Sequence, residues 1–308
     1  MRRGFVLATL MGVGALSLAV SGQAPPAGPT AKALAATKIE KVKDNLYIIT
    51  GSGAEDQTAF AGGNTAVFIT DAGATVVDTK LPGWGPTVLE RIKTVTNKPV
   101  TRLINTHTHG DHTGSNEFFG AAIESIVQEN TKTNMAKMDE FKGAKAQFLP
   151  KKTYKDKLTV GSGKDQIDLY YFGPGHTNGD SFVVFPALRV LQTGDIFAWK
   201  DAPRIDRANG GSGVQYPQTL AKAVAAIKNV DIVVPGHSPL MKPADLQEYQ
   251  RYTSDLLAAV RTARTAGKSV DEAAASINLT AKYRGYASER VKVAVQDIYD
   301  ELGAGAAR

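Results

Sequence analysis

The chain has 308 residues, 43% of them hydrophobic, which favours one large buried core, or a core with a small appendage, over a disordered chain. It contains no cysteine, which excludes disulfides and thiolate metal ligands, so stability must come from the core and from any bound metal. The formal net charge of +6 is spread over patches such as residues 142–157 without a dense basic arm, which favours a solvated basic face over a nucleic-acid site.

The N-terminal residues have the pattern of an export signal. Arg2 and Arg3 precede an uncharged, mostly apolar run that ends at Val20 and is followed by small residues. This pattern is typical of a secretory signal peptide, and the run is short for a membrane span; an uncleaved N-terminal anchor is the alternative. We expect a signal peptide over residues 1–24, a flexible Pro- and Ala-rich leader over residues 25–36, and a periplasmic or secreted mature protein without a stable membrane span.

Short elements separated by turn residues follow the leader. β-Branched and aromatic residues predict a pair of strands over residues 38–50 and a hairpin formed by residues 65–70 and 74–78. Residues 86–96 have apolar side chains at helical spacing with proline at the start, and residues 100–105 form a short buried strand. Strands alternating with helices indicate an α/β protein, in which sites gather at the strand ends.

The strand over residues 100–105 leads directly into a cluster of potential metal ligands. The segment Asn-Thr-His-Thr-His-Gly-Asp-His contains His107, His109, Asp111 and His112. Imidazole nitrogens suit a borderline metal such as zinc, and the carboxylate can bind a second ion or transfer a proton. A turn without a function rarely contains so many potential metal ligands, so this segment is the candidate active site.

The chain after this segment continues with alternating elements. A helix is predicted to begin near Gly114, followed by a strand over residues 123–127 and a helix over residues 130–141. The lysine-rich residues 142–157 are interpreted as a mobile loop bordering the site.

A second run of strands carries the remaining ligands. His176 lies in a connection between two predicted strands, Asp195 follows a strand in Thr-Gly-Asp, and His237 follows another in Pro-Gly-His. All five histidines of the chain therefore lie where a strand gives way to a loop. The predicted elements are strands at 158–160, 166–172, 181–185, 190–192 and 230–234 and a helix at 218–228.

Alanine-rich helical patterns occupy the C-terminal part of the chain. They cover residues 243–266, 270–276 and 288–302. The apolar stripe of the first helix predicts that it packs on the preceding domain, and a dimer surface is the alternative.

Four motifs together resemble those of the metallo-β-lactamase-fold hydrolases. They are His-x-His-x-Asp-His at 107–112, Gly-His-Thr at 175–177, Thr-Gly-Asp at 193–195 and Pro-Gly-His at 235–237. The resemblance implies an α/β fold, the four-layer αβ/βα sandwich with C-terminal helices. We expect the catalytic domain to span residues 37–242 and a helical extension, residues 243–308, to pack on it.

The resemblance also implies a ligand set. His107, His109 and His176 would bind one ion, Asp111, His112 and His237 a second, and Asp195 would bind both. Two Zn²⁺ ions per chain are expected, with iron as an alternative. Asp78 ends the predicted hairpin, where it either accepts a hydrogen bond from a metal-binding histidine or serves only as a turn or cap residue.

The expected activity is hydrolysis by a dinuclear metal-bound hydroxide that attacks a carbonyl carbon of a lactam, lactone, ester or thioester in a small molecule. Asp111 is the candidate proton shuttle. Metallo-β-lactamases usually have Cys or Ser where this chain has Asp195, so the ligand set is more similar to that of glyoxalase II, lactonases and ribonuclease Z. The Cys-Gly-Arg continuation of glyoxalase II is absent after Asp195.

Two other functions fit the same motifs. A phosphodiesterase or nuclease agrees with the sequence pI of about 9.3 but lacks a long basic arm. An iron-dependent redox enzyme would use the same ligands. The sequence leaves the substrate, the metal, the oligomeric state and the signal cleavage position open, and the candidate substrate contacts are Trp84, Trp199, Lys200 and Tyr216.

Overall fold

The computed structural model describes residues 29–51 and 58–306, within which twelve strands form two sheets. The strand order of the first sheet is β1 (Ile39–Lys43), β2 (Leu46–Ile49), β3 (Thr65–Thr70), β4 (Gly73–Val77), β5 (Val100–Ile104), β6 (Glu124–Gln128) and β7 (Lys152–Tyr154). The second sheet has the order β12 (Ile232–Pro235), β11 (Val190–Gly194), β10 (Phe182–Phe185), β9 (Ile167–Tyr170) and β8 (Lys157–Val160).

Helices cover the outer faces of both sheets. Within the described ranges they are α1 (Ala31–Ala36), α2 (Gly85–Lys93), α3 (Gly110–Thr113), α4 (Glu129–Met135), α5 (Tyr216–Ala226), α6 (Pro243–Thr265), α7 (Val270–Ser276) and α8 (Val291–Ala306). None of these helices combines the length and the apolar character that a membrane crossing needs.

Strand β10 shows how the sequence builds the layers. Its side chains alternate between two faces, as the pleat of a strand requires. Val183 and Phe185 belong to the core between the two sheets, whereas Phe182 and Val184 belong to the core between the second sheet and the helices. Every residue of β10 is therefore buried, and the strand reads as a continuous apolar run.

The two sheets face each other and each is covered by helices on its other side. Phe68 of the first sheet and Phe185 of the second meet with ring centroids 5.1 Å apart. Val88 and Ile92 of α2 pack on the outer face of the first sheet, while α5, α6 and α8 pack on the outer face of the second. This is the expected four-layer αβ/βα sandwich with C-terminal helices, and the predicted fold class is confirmed.

Two parallel strand pairs bring distant parts of the chain to one edge of the sandwich. Val77 of β4 is the register partner of Ile104 of β5, so Asp78 emerges beside the segment that follows β5. Gly194 of β11 is the register partner of Pro235 of β12, which places Asp195 beside the turn that carries His237. Parallel strands end at the same edge, so residues that follow them become neighbours.

The last part of the segment predicted as a flexible leader, residues 25–36, is helical. Residues 31–36 form α1, whose N-cap Thr30 accepts a hydrogen bond from the Ala33 amide. Ala33 is buried beside Ala61 and Trp84, and this contact fixes the helix to the domain. The predicted signal peptide over residues 1–24 lies outside the described residues.

Two further predictions about local structure are wrong. No α-helix begins near Gly114: the one-turn helix α3, which includes Asp111 and His112, ends at Thr113, and a 3₁₀ turn follows over Asn116–Phe119. The lysine-rich residues 142–157 are not one loop, because they contain a 3₁₀ turn and β7 at the edge of the first sheet. Exposed lysines are typical of edge strands, where they discourage pairing with another chain, and this explains why a lysine-rich segment forms a strand here.

Candidate metal centre

The predicted ligands converge in two groups at the shared edge of the sheets. One potential donor atom from each of His107, His109, His176 and Asp195 lies within 4.8 Å of every other in its group. The same limit holds for the group formed by Asp111, His112, Asp195 and His237. Asp195 belongs to both groups. The structure therefore brings together all seven residues expected to bind metal.

Hydrogen bonds fix the ring orientations in the first group. His109 Nε2 lies 2.6 Å from Asp206 Oδ2, so Nδ1 of His109 faces Nε2 of His176 at 3.0 Å. Nδ1 of His176 is 2.8 Å from the carbonyl oxygen of Arg204, which as an acceptor places the proton on Nδ1. Both rings then present an unprotonated nitrogen to the centre of the group.

His107 completes the first group with a nitrogen that has no protein partner. Its Nε2 is buried and makes no hydrogen bond within residues 29–51 and 58–306. Its Nδ1 lies 3.0 Å from the Thr106 hydroxyl, which itself donates to Asp78 Oδ2 at 2.8 Å. An orphaned, oriented nitrogen is expensive in a protein interior unless it binds a ligand, and it fits a metal site.

The second group is equally close. His112 Nε2 and His237 Nε2 are 3.3 Å apart, and each lies 3.2 Å from Asp195 Oδ1. Asp111 Oδ2 is 3.2 Å from His237 Nε2. Although it lies near both imidazoles, Asp195 Oδ1 is buried and makes no hydrogen bond of acceptable geometry within the described part of the chain. These atoms point at a common centre.

Asp78 lies beside a candidate metal-binding histidine, as one of the two predictions for this residue expected. Its Oδ2 lies 2.8 Å from His112 Nδ1, and its Oδ1 accepts the Thr106 amide at 2.8 Å. Through the Thr106 hydroxyl the same carboxylate also orients His107. Asp78 has a φ of 65°, a left-handed conformation that is uncommon for residues other than glycine and that recurs at functional sites.

Two motif glycines are required by close packing on the site. A Cβ at Gly63 would lie 2.1 to 2.7 Å from three atoms of the His112 ring. A Cβ at Gly236 would lie 1.9 Å from Asp195 Oδ1. The glycines of Gly-Gly-Asn and Pro-Gly-His therefore allow the backbone to touch the ligands, which the sequence alone does not show.

Burial keeps the imidazoles of His107 and His176, two ligands of the first group, neutral. Burial and the neighbouring His112 and His176 hold the pKa of His107 well below its ordinary value. Burial and the nearby His109 lower the pKa of His176 to about 3. Neutral imidazole is the form that binds a metal, so these two histidines are prepared for a cation at neutral pH.

The second group has the opposite electrostatics. Burial opposes protonation of His112 and His237, but the carboxylates outweigh it: they raise the pKa of His112 well above its ordinary value and that of His237 to about 9. Burial likewise opposes ionisation of Asp111 and Asp195, but the charges of these histidines hold both carboxyl pKa values below their usual range. A cation entering this group must displace protons.

The donor set fits zinc and related divalent ions. It consists of imidazole nitrogens and carboxylate oxygens, and thiolate is absent because the chain has no cysteine. The nitrogens are oriented by hydrogen bonds to Asp206, Asp78 and a backbone carbonyl, as is usual for metal-binding histidines.

Of the four predicted substrate contacts, one lines the cavity above the ligands and three do not. Trp199 lines the cavity above the ligands, with its ring centroid 5.6 Å from that of His237. Trp84 is 4% exposed beneath α1, and Tyr216 is 1% exposed with its hydroxyl donating to the Ile196 carbonyl at 3.0 Å, so neither side chain reaches a substrate. Lys200 turns away to the carboxylate of Asp245 in α6, at 2.6 Å.

The cavity above the ligands has a volume of about 370 Å³. Asp111 and His237 form its floor. Phe60, Glu140 and Arg204 line it as well, and neither the sequence motifs nor the helix and strand pattern pointed to them. Asp206 was also missed, because it lies in a loop with no motif of its own; only its contact with His109 identifies it.

Comparisons with known proteins agree with this geometry. A sequence model of the metallo-beta-lactamase superfamily matches residues 59–237. The metallo-beta-lactamase type 2 of Elizabethkingia meningoseptica is 29% identical over 227 residues, which cover 71% of this chain and 84% of the relative. Metallo-beta-lactamase IND-1 of Chryseobacterium indologenes is 24% identical over 201 residues, covering 64% of this chain and 80% of that protein.

Solved structures show the same fold. A metallo-beta-lactamase from Pontibacter korlensis superposes with a TM-score of 0.61 at 22% identity, covering 71% of this chain and 99% of that one. The DIM-1 metallo-beta-lactamase gives a TM-score of 0.59 at 22% identity and covers 71% of this chain and 97% of its own. With the superfamily model spanning more than half of the sequence and the ligand motifs assembled in space, the chain belongs to the metallo-beta-lactamase superfamily and is a metal-dependent hydrolase.

Proposed function

We propose that this protein is a zinc hydrolase with a dinuclear centre that cleaves a carbonyl bond in a small molecule, with a β-lactam as the first substrate to test. The observation that carries the proposal is the pair of ligand groups that share Asp195. A single ion would need only one of these groups, and two adjacent groups with a common carboxylate suit two ions.

Each ligand has a defined task in this proposal. His107, His109 and His176 bind one ion, Asp111, His112 and His237 bind the other, and Asp195 binds both. Bound zinc supplies Lewis acidity that lowers the pKa of water to about 7 and polarises a carbonyl oxygen. Asp206 and Asp78 hold the imidazoles in the tautomers that leave the ligating nitrogens unprotonated.

Asp111 is the residue we assign to proton transfer. Its carboxylate lines the cavity and is about one-seventh exposed, whereas Asp195 is nearly fully buried. The Asp111 carboxylate can therefore take a proton from water in the cavity and deliver it to the leaving atom of the substrate. Trp199 and Phe60 flank His237 and exclude water from one side of the cavity.

We chose a β-lactam as the first substrate to test because of the proteins to which this chain is similar. The curated proteins that the chain resembles are metallo-beta-lactamases, and the chain covers 84% of the length of one of them. Asp195 replaces the Cys or Ser expected in such enzymes, so lactones, esters and thioesters are the next substrates to test. Iron suits the same ligands, and metal analysis distinguishes it from zinc.

We also propose that the protein is exported, with residues 1–24 as a signal peptide and a periplasmic or secreted mature chain. The charged start and short apolar run of the sequence support this. Expression of the full chain followed by cell fractionation and intact mass measurement tests it. A protein that keeps its N-terminus in the cytoplasmic fraction would contradict the proposal.

The decisive experiment measures metal content and hydrolysis of a chromogenic cephalosporin, with and without a chelator. We expect about two equivalents of metal and chelator-sensitive turnover. Asp111→Asn should lower kcat by a factor of about 10² to 10⁴. Asp139→Asn, which alters a carboxylate that is exposed and paired with Lys142, is the matched control and should match the wild type.

The outcomes separate the parts of the proposal. Wild-type protein that binds no metal would overturn the metal centre itself. Protein that binds two equivalents and hydrolyses lactones or thioesters but not the cephalosporin would overturn only the choice of β-lactam.

A further inference from the structure

The loop of residues 204–214 lies between the first ligand group and helix α8. On its inner side, the carbonyl of Arg204 and the carboxylate of Asp206 hold His176 and His109. The Asp206 amide also donates to the His176 carbonyl at 2.8 Å, and the Ser212 amide donates to the Gly175 carbonyl at 2.9 Å. The loop therefore fixes both the side chain and the backbone of His176.

The outer side of the same loop is fastened to α8. Glu301 accepts hydrogen bonds from the Ser212 hydroxyl and, at 3.2 Å, from the Val214 amide. Arg207 Nη1 donates to the Asp297 carbonyl at 2.9 Å. These attachments directly follow Asp206 in the chain and fasten the C-terminal half of the loop.

The loop backbone also packs tightly on both sides. A Cβ at Gly211 would lie 2.3 Å from the His176 carbonyl oxygen, and a Cβ at Gly213 would lie 2.5 Å from Ile298 of α8. A displacement of α8 would therefore move the loop against the ligands, since there is no free space to absorb it.

The loop cannot hold this shape by itself. Between residues 204 and 214 its only regular element is the short 3₁₀ turn Arg207–Asn209, so anchors outside the loop must offset the entropy of ordering it. Groups that support metal-binding histidines change metal affinity, although they do not touch the ion. Helix α8 lies beyond residues 59–237, the part matched by the superfamily model.

We propose that α8 is a positioning element of the metal centre, and that Glu301 fixes the loop that orients His109 and His176. The inference rests on the proposed binding of metal by the first ligand group, and it assigns a task to the C-terminal extension. Glu301 is a positioning residue, because it acts through Ser212 and Val214 and not on the substrate.

The test compares zinc affinity in three variants of the full chain by competition with a chromophoric chelator. Glu301→Ala should weaken one of the two zinc equivalents about tenfold and leave the other within twofold. Glu301→Gln should restore wild-type affinity, since its amide can donate to the Ser212 hydroxyl while its carbonyl accepts from Val214. Asp300→Ala removes a neighbouring exposed carboxylate that accepts a hydrogen bond from Gln296, and it should change neither equivalent.

A second readout locates the weakened equivalent. In zinc-loaded wild type, the imidazole N–H that His109 donates to Asp206 should give a downfield NMR resonance protected from exchange. Glu301→Ala should broaden this resonance, whereas the corresponding resonance of His112 with Asp78 should be unchanged.

A merely structural helix gives a different result. Glu301→Ala would then lower the melting temperature while both zinc equivalents and the His109 resonance stay as in the wild type, and this would overturn the inference. If Glu301→Ala does not fold, Arg207→Met, which removes the contact with the Asp297 carbonyl, replaces it with the same expected selectivity. A wild type without bound zinc would instead refute the metal centre.

Discussion

Asp78 Oδ2 lies 2.8 Å from Nδ1 of His112, and through the Thr106 hydroxyl the same carboxylate also orients His107. One buried side chain thus orients two candidate metal-binding histidines that belong to different ligand groups. This arrangement links the strand β4 to both halves of the proposed centre.

Asp78→Asn should weaken both zinc equivalents. The new amide would donate to His112 Nδ1 where the carboxylate accepts, so the His112 proton would shift to the nitrogen that faces the ion. We expect a loss of affinity of about 10- to 100-fold, measured by chelator competition. Asp71→Asn, at a carboxylate with 89% side-chain exposure, is the control. Unchanged affinity in Asp78→Asn would contradict this role.

Gly236→Ala should displace Asp195, the residue shared by the two ligand groups, although Asp195 itself is not mutated. The added methyl group would occupy the position of Asp195 Oδ1 and force that carboxylate away. We expect at most one equivalent of zinc by elemental analysis and a correspondingly large loss of turnover. Gly303→Ala, where a Cβ meets nothing within 4 Å, is the control and should stabilise α8 by about 0.5–1 kcal/mol. Two tightly bound ions in Gly236→Ala would refute the close-packing argument.

Zinc affinity should depend on pH differently for the two ligand groups. The carboxylates raise the pKa of His237 to about 9 against the effect of burial, so below that pH zinc must displace its proton. Affinity of the second group should rise about tenfold per pH unit for each proton displaced, up to about pH 9. In the first group, His176 should add no such dependence above about pH 5, since burial lowers its pKa to about 3. Parallel pH profiles for the two equivalents would contradict this.

Lys80 should make the metal-free protein more stable at alkaline pH. Burial lowers its pKa from 10.5 to about 7 although Asp78 and Asp111 oppose the shift, and its ammonium donates to the Gly63 carbonyl at 2.8 Å. Between pH 7 and 10.5 the unfolded chain binds more protons, so the free energy of unfolding should rise by up to about 1.4 kcal/mol per pH unit.

Urea unfolding in excess chelator at several pH values measures this slope. Lys80→Met should reduce it, whereas Lys41→Met, at an exposed lysine, should leave it as in the wild type. An equal slope in Lys80→Met would show that other groups cause the pH dependence.

The two tryptophans should respond to mutation in opposite ways. Trp199→Ala enlarges the cavity beside His237 and should raise KM while the melting temperature changes little. Trp84→Ala leaves a hole beneath α1 and should cost about 3–5 kcal/mol of stability, with KM unchanged in the folded fraction. A rise in KM for Trp84→Ala alone would reverse these assignments.

The strands, the α/β alternation and the candidate ligands could be predicted from the sequence, whereas the four-layer sandwich was implied by the resemblance of the motifs to a known family. Strand alternation, turn residues and helical spacing are local properties, so they can be read from short windows such as β3, β10 and α6. The ligand motifs could also be recognised locally, because each lies where a strand ends and contains His or Asp in a short, unusual pattern.

Tertiary structure decided how those ligands are oriented and supported. Asp206 acts on His109 from 97 residues away, and Glu301 reaches Ser212 from 89 residues away, so no local pattern reveals either contact. Trp84 and Trp199 look alike in the sequence, yet one is buried beneath α1 and the other lines the cavity. Side-chain orientation depends on neighbours that only the folded chain brings together, and for this reason the supporting residues could not be predicted while the ligands could.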